Sequence, residues 1–226
     1  MIITIDGPVA SGKSTVALRI ATELGMYYVC SGLLYRACTY ILRHYAGYKT
    51  EHAITHPSQK DIEEYCNQYR IRYVYTIHGI QIFFDNHDIT EYLKTATIDH
   101  YVSLLSTHEA IRIEVHIMQK AIAQDKDIVA DGRDMGSVAF PDAEYKFFLT
   151  ASVEERAGRW QKDQEKKGNN VSLQQAIEAI TQRDYRDTTR AVSPLVVPAH
   201  AIIIDSTNLT LDQTVQEMLK YIKPWK

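Results

Sequence analysis

The chain opens with a short, mostly apolar run, Met1 to Ile5, which Asp6-Gly7 cuts off, and Gly7-Pro8-Val9-Ala10-Ser11-Gly12-Lys13-Ser14 follows at once. Such a run is too short for a helix and suits a buried strand of a parallel sheet. From Ser14 the spacing turns helical, with Val16, Ile20 and Leu24 at i, i+4 and i+8 and Ala17 and Ala21 beside them, until Gly25. The octet matches G-x-x-x-x-G-K-[ST] in the setting that gives it meaning, after a strand and opening a helix. Glycines at both ends let the backbone wrap so that successive N–H groups, added to the positive helix end, point at one phosphate. Lys13 adds a mobile positive charge, and the Ser14 hydroxyl is the expected ligand of a Mg²⁺ that also holds β and γ oxygens. Gly7 to Thr15 are therefore expected to bind ATP or GTP. A glycine turn that merely caps a helix is the bland reading, and the strand–loop–helix context counts against it.

The strand and helix rhythm continues. Met26 to Cys30 reads as a second strand and Gly32 to Tyr45 as a helix, which completes a βαβ unit. Residues 47–95 differ: a polar, His- and Tyr-rich stretch leads into two β-rich segments flanking His78-Gly79, a hairpin signal. Helical period returns from about Thr97 to Gln124, followed by candidate strands at 127–130, 146–150 and 201–205. Between the last two lie a charged helix from Ser152 to Lys167, a break at Gly168-Asn169-Asn170 and a helix from about Ser172 to Thr189; Leu211 to Lys223 reads as a final helix. The expected fold is α/β: a P-loop, five-stranded parallel sheet flanked by helices, with an inserted small β-rich subdomain and a helical lid. The core is expected at 1–46 and 96–226, with the lid at about 152–170, and the insertion at 47–95.

Composition narrows the partners. With 226 residues, Lys+Arg 25 against Asp+Glu 28 and a net charge of -3, no global basic field exists to draw in nucleic acid or membrane surfaces. Any anion site must be local. Cys30, Cys38 and Cys66 form no C-x-x-C pair and fit a reducing compartment. No leader or membrane span is evident, so a cytoplasmic protein, a monomer by weak preference, is expected. His52 and His56 lack a third ligand and read as polar surface.

The guanine signature NKxD and any DxxG are absent, which argues against a GTPase switch. Arg183, Arg186 and Arg190 share one helix face with Asp187 as its acidic member. That stripe reads either as a solvated face or as a grip on phosphates and a ribose or base edge. Asp131-Gly132-Arg133-Asp134 follows a strand directly, at the sheet edge where open α/β folds bind ligands. Asp131 is placed to position Mg²⁺ through water and Arg133 to hold a phosphate; a turn with a salt bridge is the alternative. Arg156 and Arg159 begin the charged segment, as a closing lid or as a surface helix.

These residues resemble the bacterial cytidylate kinases, within the nucleoside monophosphate kinases, along essentially the whole chain. The matching blocks are IDGPVASGKST at 5–15, SGLLYRA at 31–37, ADGRDMG at 130–136, FPDAEYKFFLTAS at 140–152, ERA at 155–157, RDYRDTTRAVSPL at 183–195 and DST at 205–207. The resemblance implies ATP- and Mg²⁺-dependent phosphorylation of CMP and dCMP by in-line transfer, and likens 47–95 to the family's β subdomain. It implies that Gly7 to Thr15 hold the ATP phosphates, that Ser31 and Arg36 contact the CMP end, and that Ser103 and Arg112, nine apart in the helix after the insertion, read cytosine or neighbouring groups. It further implies that Arg133 binds the CMP phosphate, Arg183 and Asp187 the sugar, and Arg190 a phosphate near the transferred group. Arg159 resembles a lid arginine, and Lys13, Arg133, Arg159 and Arg190 would be the catalytic cations. Two positions depart from the pattern: Cys30 stands where Asp is usual, and Trp160 where a second lid arginine is common. Kinases of another small acceptor, and a non-catalytic ATP-responsive protein, are the competing readings.

Overall fold

The computed structural model describes residues 1–223. Its elements run β1 (Ile2–Asp6), α1 (Lys13–Leu24), β2 (Tyr27–Cys30), α2 (Ser31–His44), α3 (Glu51–Thr55), α4 (Gln59–Tyr65), β3 (Ile71–Thr76), β4 (Gly79–Phe84), β5 (His87–Asp88), α5 (Ala96–Leu105), α6 (Glu109–Ala123), β6 (Ile128–Gly132), β7 (Tyr145–Thr150), α7 (Val153–Lys166), α8 (Leu173–Thr189), β8 (Ile202–Asp205) and α9 (Leu211–Leu219). A five-stranded sheet has the order β2-β6-β1-β7-β8, and β3, β4 and β5 form a separate sheet. Contacts divide the chain into two compact units, one of Met1–Tyr28 with Asp127 onward, the other Val29–Lys126.

In the first unit β1 is central. Ile3 and Ile5 on one side and Thr4 and Asp6 on the other are all buried, as a strand covered on both faces requires. It pairs in parallel with β6 and β7, and β7 pairs in parallel with β8. The register sets Ile5 against Asp131 and Asp6 against Gly132. The carboxyl ends of two neighbouring strands thus meet where the glycine loop leaves the sheet, the place where open α/β folds bind ligands. Helix α7 starts at Ser152, whose side chain accepts from the Glu155 N–H, and α8 at a full capping box of Ser172 and Gln175. Between them Gly168 has φ of 82°, a left-handed conformation that ends α7 where the sequence expects the break.

In the second unit, α2 buries Leu34, Ile41 and Leu42 completely, and β3 pairs antiparallel with β4 through a turn at Ile77-His78. Two expectations need correction. The polar stretch expected to belong to a subdomain of strands also forms α3 and α4, started by Thr50 and Ser58, which accept from the Ala53 and Asp61 N–H groups. Short capped helices carry too few apolar positions to show a period. The helix expected over 97–124 is two, α5 and α6, interrupted at residues 106–108. Its apolar period survives the break, which is why periodicity alone reads it as continuous. No helix among the described residues is long and apolar enough to cross a membrane.

Candidate functional site

The loop between β1 and α1 is held by constraints that few sequences satisfy. A Cβ on Gly7 would lie 2.1 Å from the Leu149 carbonyl oxygen, so only glycine fits where the loop crosses the end of β7. Gly12 has φ of 89° and turns the backbone into α1. Ala10 also sits at φ 57°, a conformation that costs a residue with a Cβ about 1 kcal/mol or more. The Ser11 hydroxyl is buried without a hydrogen-bond partner among the described residues. Lys13 is buried, and its ammonium donates to the Pro8 carbonyl at 2.9 Å. Burial, then the Arg133 and Arg183 charges, lower its pKa to about 7, against the opposing pull of Asp131 and Asp187. A buried cation and an orphan hydroxyl in a glycine-framed loop fit a phosphate group, whose charge would restore the ammonium.

Beside the loop, Ser14 Oγ donates to Asp131 Oδ2 at 2.6 Å, and Tyr28 Oη donates to Asp131 Oδ1 at 2.7 Å. The hydroxyl and carboxylate expected to share a metal are therefore adjacent. Both are hard oxygen donors, and two of them with water and phosphate oxygens suit Mg²⁺. Asp6, at the end of β1, accepts the Met135 and Gly136 N–H groups, each at 2.8 Å. Burial raises its pKa to about 6 despite those two bonds. It fixes the turn that follows Arg133 and Asp134.

The arginine stripe is not a solvated face. Asp187 Oδ2 accepts from Arg133 Nε at 2.9 Å, and Asp187 Oδ1 accepts from Arg190 Nη1 at 3.5 Å. Asp187 and Arg190 are buried, and Arg183 and Arg186 half-buried. Burial pushes the Asp187 carboxyl up, but Arg133, Arg183 and Arg190 outweigh it and hold the group below its usual range. Arg133, Arg183, Asp187 and Arg190 thus form one cationic cluster, of which Arg133, Arg183 and Asp187 also act on Lys13. Arg159 reaches the loop as well, donating to the Ser206 carbonyl at 2.8 Å and to the Ser11 carbonyl at 3.3 Å. It borders a hollow completed by Thr15, Leu209, Leu211 and Thr214.

Within the second unit, Ser31 is the buried first residue of α2. Arg36 is engaged in an ion pair with Asp99 and donates to the Leu93 carbonyl at 3.3 Å. Ser103 and Arg112 are buried but stand on two helices, α5 and α6, rather than the single helix expected. Arg112 donates to the Ser106 carbonyl at 2.9 Å across the break, and its guanidinium lies 5.2 Å from the Tyr35 ring. The Ser103 hydroxyl has no partner among the described residues. Sequence reasoning missed Tyr28, Asp6, Asp99 and Asp184, which orient the residues it named. Asp184, the neighbour of Arg183, was the easiest to find; Tyr28 carries no signal inside an apolar strand.

A glycine loop with a buried lysine, a serine–aspartate pair at the sheet edge and an adjoining arginine cluster define a P-loop nucleotide-binding protein of α/β class. The sequence model of the cytidylate kinase family matches residues 3–224, and the chain belongs to that family. Similar proteins include cytidylate kinases of Caldanaerobacter subterraneus subsp. tengcongensis, 38% identical over 98% of this chain and 94% of that one, and of Enterococcus faecalis, 38% identical over 98% and 95%. A third, from Bacillus pumilus, is 39% identical over 96% of this chain and 93% of its own. The chain is an enzyme of this kind.

Proposed function

We propose that this chain transfers the γ-phosphoryl group of ATP to CMP and dCMP, as a cytoplasmic monomer. The observation that carries the reading is the cluster in which Arg133 and Arg190 are both bonded to buried Asp187, added to the buried Lys13 of the glycine loop: more cations than one nucleotide polyphosphate needs. Gly7, Pro8, Val9, Ala10, Ser11, Gly12, Lys13, Ser14 and Thr15 form the ATP phosphate cradle, and the Leu209 and Leu211 side chains offer the adenine an apolar wall. Ser14 would hold Mg²⁺, with Asp131 reaching it directly or through water. When bound, the ion neutralises charge on the β and γ oxygens.

Arg133 and Arg190 bind the acceptor phosphate and the transferring group, Arg183 and Asp187 the sugar. Ser31 and Arg36 also serve the monophosphate, Arg36 by exchanging Asp99 for a phosphate oxygen. Ser103 and Arg112 read the base. Residues 47–95 are the inserted monophosphate-binding subdomain, and the segment at about 152–170, carrying Arg159, is the lid. The chemistry needs no protein nucleophile: a CMP phosphate oxygen attacks the γ-phosphorus as its bond to the β,γ-bridging oxygen breaks and ADP leaves, and the protein aligns two anions and spreads their charge. Lys13 and the arginines do this by holding donors in place before reaction, so little reorganisation is needed.

Coupled ADP release across CMP, dCMP, UMP and AMP tests the proposal. Turnover dominated by CMP and dCMP is expected; dominance of another acceptor, or ATP binding without transfer, would reject it.

A further inference from the structure

One residue of the glycine loop is secured from three directions. The Val9 N–H donates to Asp184 Oδ1 of α8 at 2.9 Å. The Val9 carbonyl accepts from Arg156 Nη1 of α7 at 3.1 Å. Its side chain packs in a buried apolar cluster with Ala157 of α7 and Ala176 and Ile180 of α8, flanked by Val153, Trp160 and Ile177. The same Arg156 nitrogen is ion-paired with Asp184 Oδ2, and Arg156 Nε donates to the Ala151 carbonyl at 3.1 Å, so the clasp is closed. Arg156 is buried, where a guanidinium without partners would be costly.

Three consequences follow from this arrangement. The Val9 N–H points to a carboxylate and is withdrawn from phosphate binding, so Val9 serves the cradle by shaping it rather than by donating to a phosphate. Ala10, next in the chain, holds its left-handed φ of 57° only because its surroundings over-determine it, and the grip on both polar groups of Val9 does that. The first turn of α7 is fastened to the loop and to α8, so motion of the lid must begin beyond Arg156. Trp160 stands one turn later, and its packing against this cluster is what the chain has in place of a second lid arginine.

We propose that Asp184 is a positioning residue for phosphoryl transfer: through Val9 and Arg156 it holds the phosphate loop in its binding shape and ties it to the helices that carry the lid and the acceptor-binding arginines. This rests on the reading that ATP occupies the loop. A structural ion pair between α7 and α8 would account for Arg156 alone, but not for the spending of the second carboxylate oxygen on a loop N–H.

The test is calorimetric titration of the parent, D184N and D184A with a non-hydrolysable ATP analogue plus Mg²⁺, and separately with CMP, alongside melting curves. Loss of a carboxylate that satisfies a buried N–H and a buried guanidinium is expected to weaken analogue binding in D184A by about tenfold or more. D184N, which keeps one oxygen for Val9, should fall about threefold, and CMP binding should stay within about twofold in both. Analogue affinity unchanged in D184A overturns the proposal, as does equal loss for analogue and CMP, which would mark a general loosening of the fold. If D184A yields no soluble protein, D184N decides: an affinity indistinguishable from the parent's rejects it. A parent that binds no analogue would instead refute the ATP reading itself.

Discussion

Among the described residues the two compact units bury different kinds of polar group: the first buries several charges, the second, Arg112 apart, neutral hydroxyls and an amide. In the unit formed by 1–28 and 127 onward, the buried charges Asp6, Lys13, Asp131, Arg156 and Asp187 each have a partner from the chain itself, whereas the Thr4, Ser11 and Ser137 hydroxyls have none among the described residues. In the unit formed by 29–126, the Ser103 hydroxyl and both ends of the fully buried Gln119 amide lack partners among the described residues. A buried polar group left unsatisfied costs about 1–3 kcal/mol. On the proposed reading, the charged groups of the first unit are held by the chain itself before any phosphate arrives, and the orphan Ser103 hydroxyl of the second has a cost that a ligand's hydrogen-bonding edge can offset. Charge recognition tolerates a self-satisfied site, because a phosphate outcompetes neutral acceptors such as the Pro8 carbonyl. Base recognition does not.

Four experiments would sharpen or break that contrast. The largest effect is expected for Lys13→Ala, which should lower turnover by about a thousandfold while the melting curve stays cooperative. Unchanged turnover would show that the loop does not handle the transferring group. Arg190→Ala should reduce kcat by about a hundredfold and weaken CMP binding much less, since its contact is with charge that moves. Steady-state kinetics at saturating CMP decide this, and an unaltered kcat would remove Arg190 from the transfer step. In the other unit, Ser103→Ala should change the CMP to UMP ratio of kcat/KM by about tenfold with little effect on ATP. A preserved ratio in both Ser103→Ala and Arg112→Ala would place base selectivity elsewhere.

The smallest effect concerns pH. Lys13 titrates at about 7 in the folded chain, against an ordinary 10.5. Below the folded value both states carry the proton and the burial penalty is full. Above it the unfolded chain binds more protons, so the penalty fades and stability rises between about 7 and 10.5. Lys13→Met should flatten that slope and melt a few degrees higher, about 2–4 °C, at pH 6. Parallel melting-temperature profiles for the two proteins would contradict the buried, charge-strained lysine.

How much could be read from the chain differs in the same way. The five strands, the break near Gly168 and the glycine loop that opens α1 are local matters of apolar runs, glycine and spacing, and each stands where the sequence places it. Helices α3 and α4 went unread because their evidence is a single capping hydroxyl each, Thr50 and Ser58. Ser103 and Arg112 were named but set on one helix, since nothing in an unbroken apolar period marks the turn at 106–108. The arginine stripe could be read as solvated or as functional, and burial of Asp187 and Arg190 settled the first alternative.

The sequence by itself determined the phosphate loop, because glycine where no Cβ fits, lysine at the start of a helix and serine beside it are requirements on neighbouring residues. Asp131 could be named from its place after a strand, but only the tertiary structure showed that it meets the Ser14 hydroxyl, and that Asp184 meets the loop at all. Asp131 lies 117 residues from Ser14, and Asp184 lies 175 from Val9. Partners so remote in the chain leave no periodicity or spacing; they meet because β1 and β6 are adjacent in the sheet and α7 and α8 close over the loop.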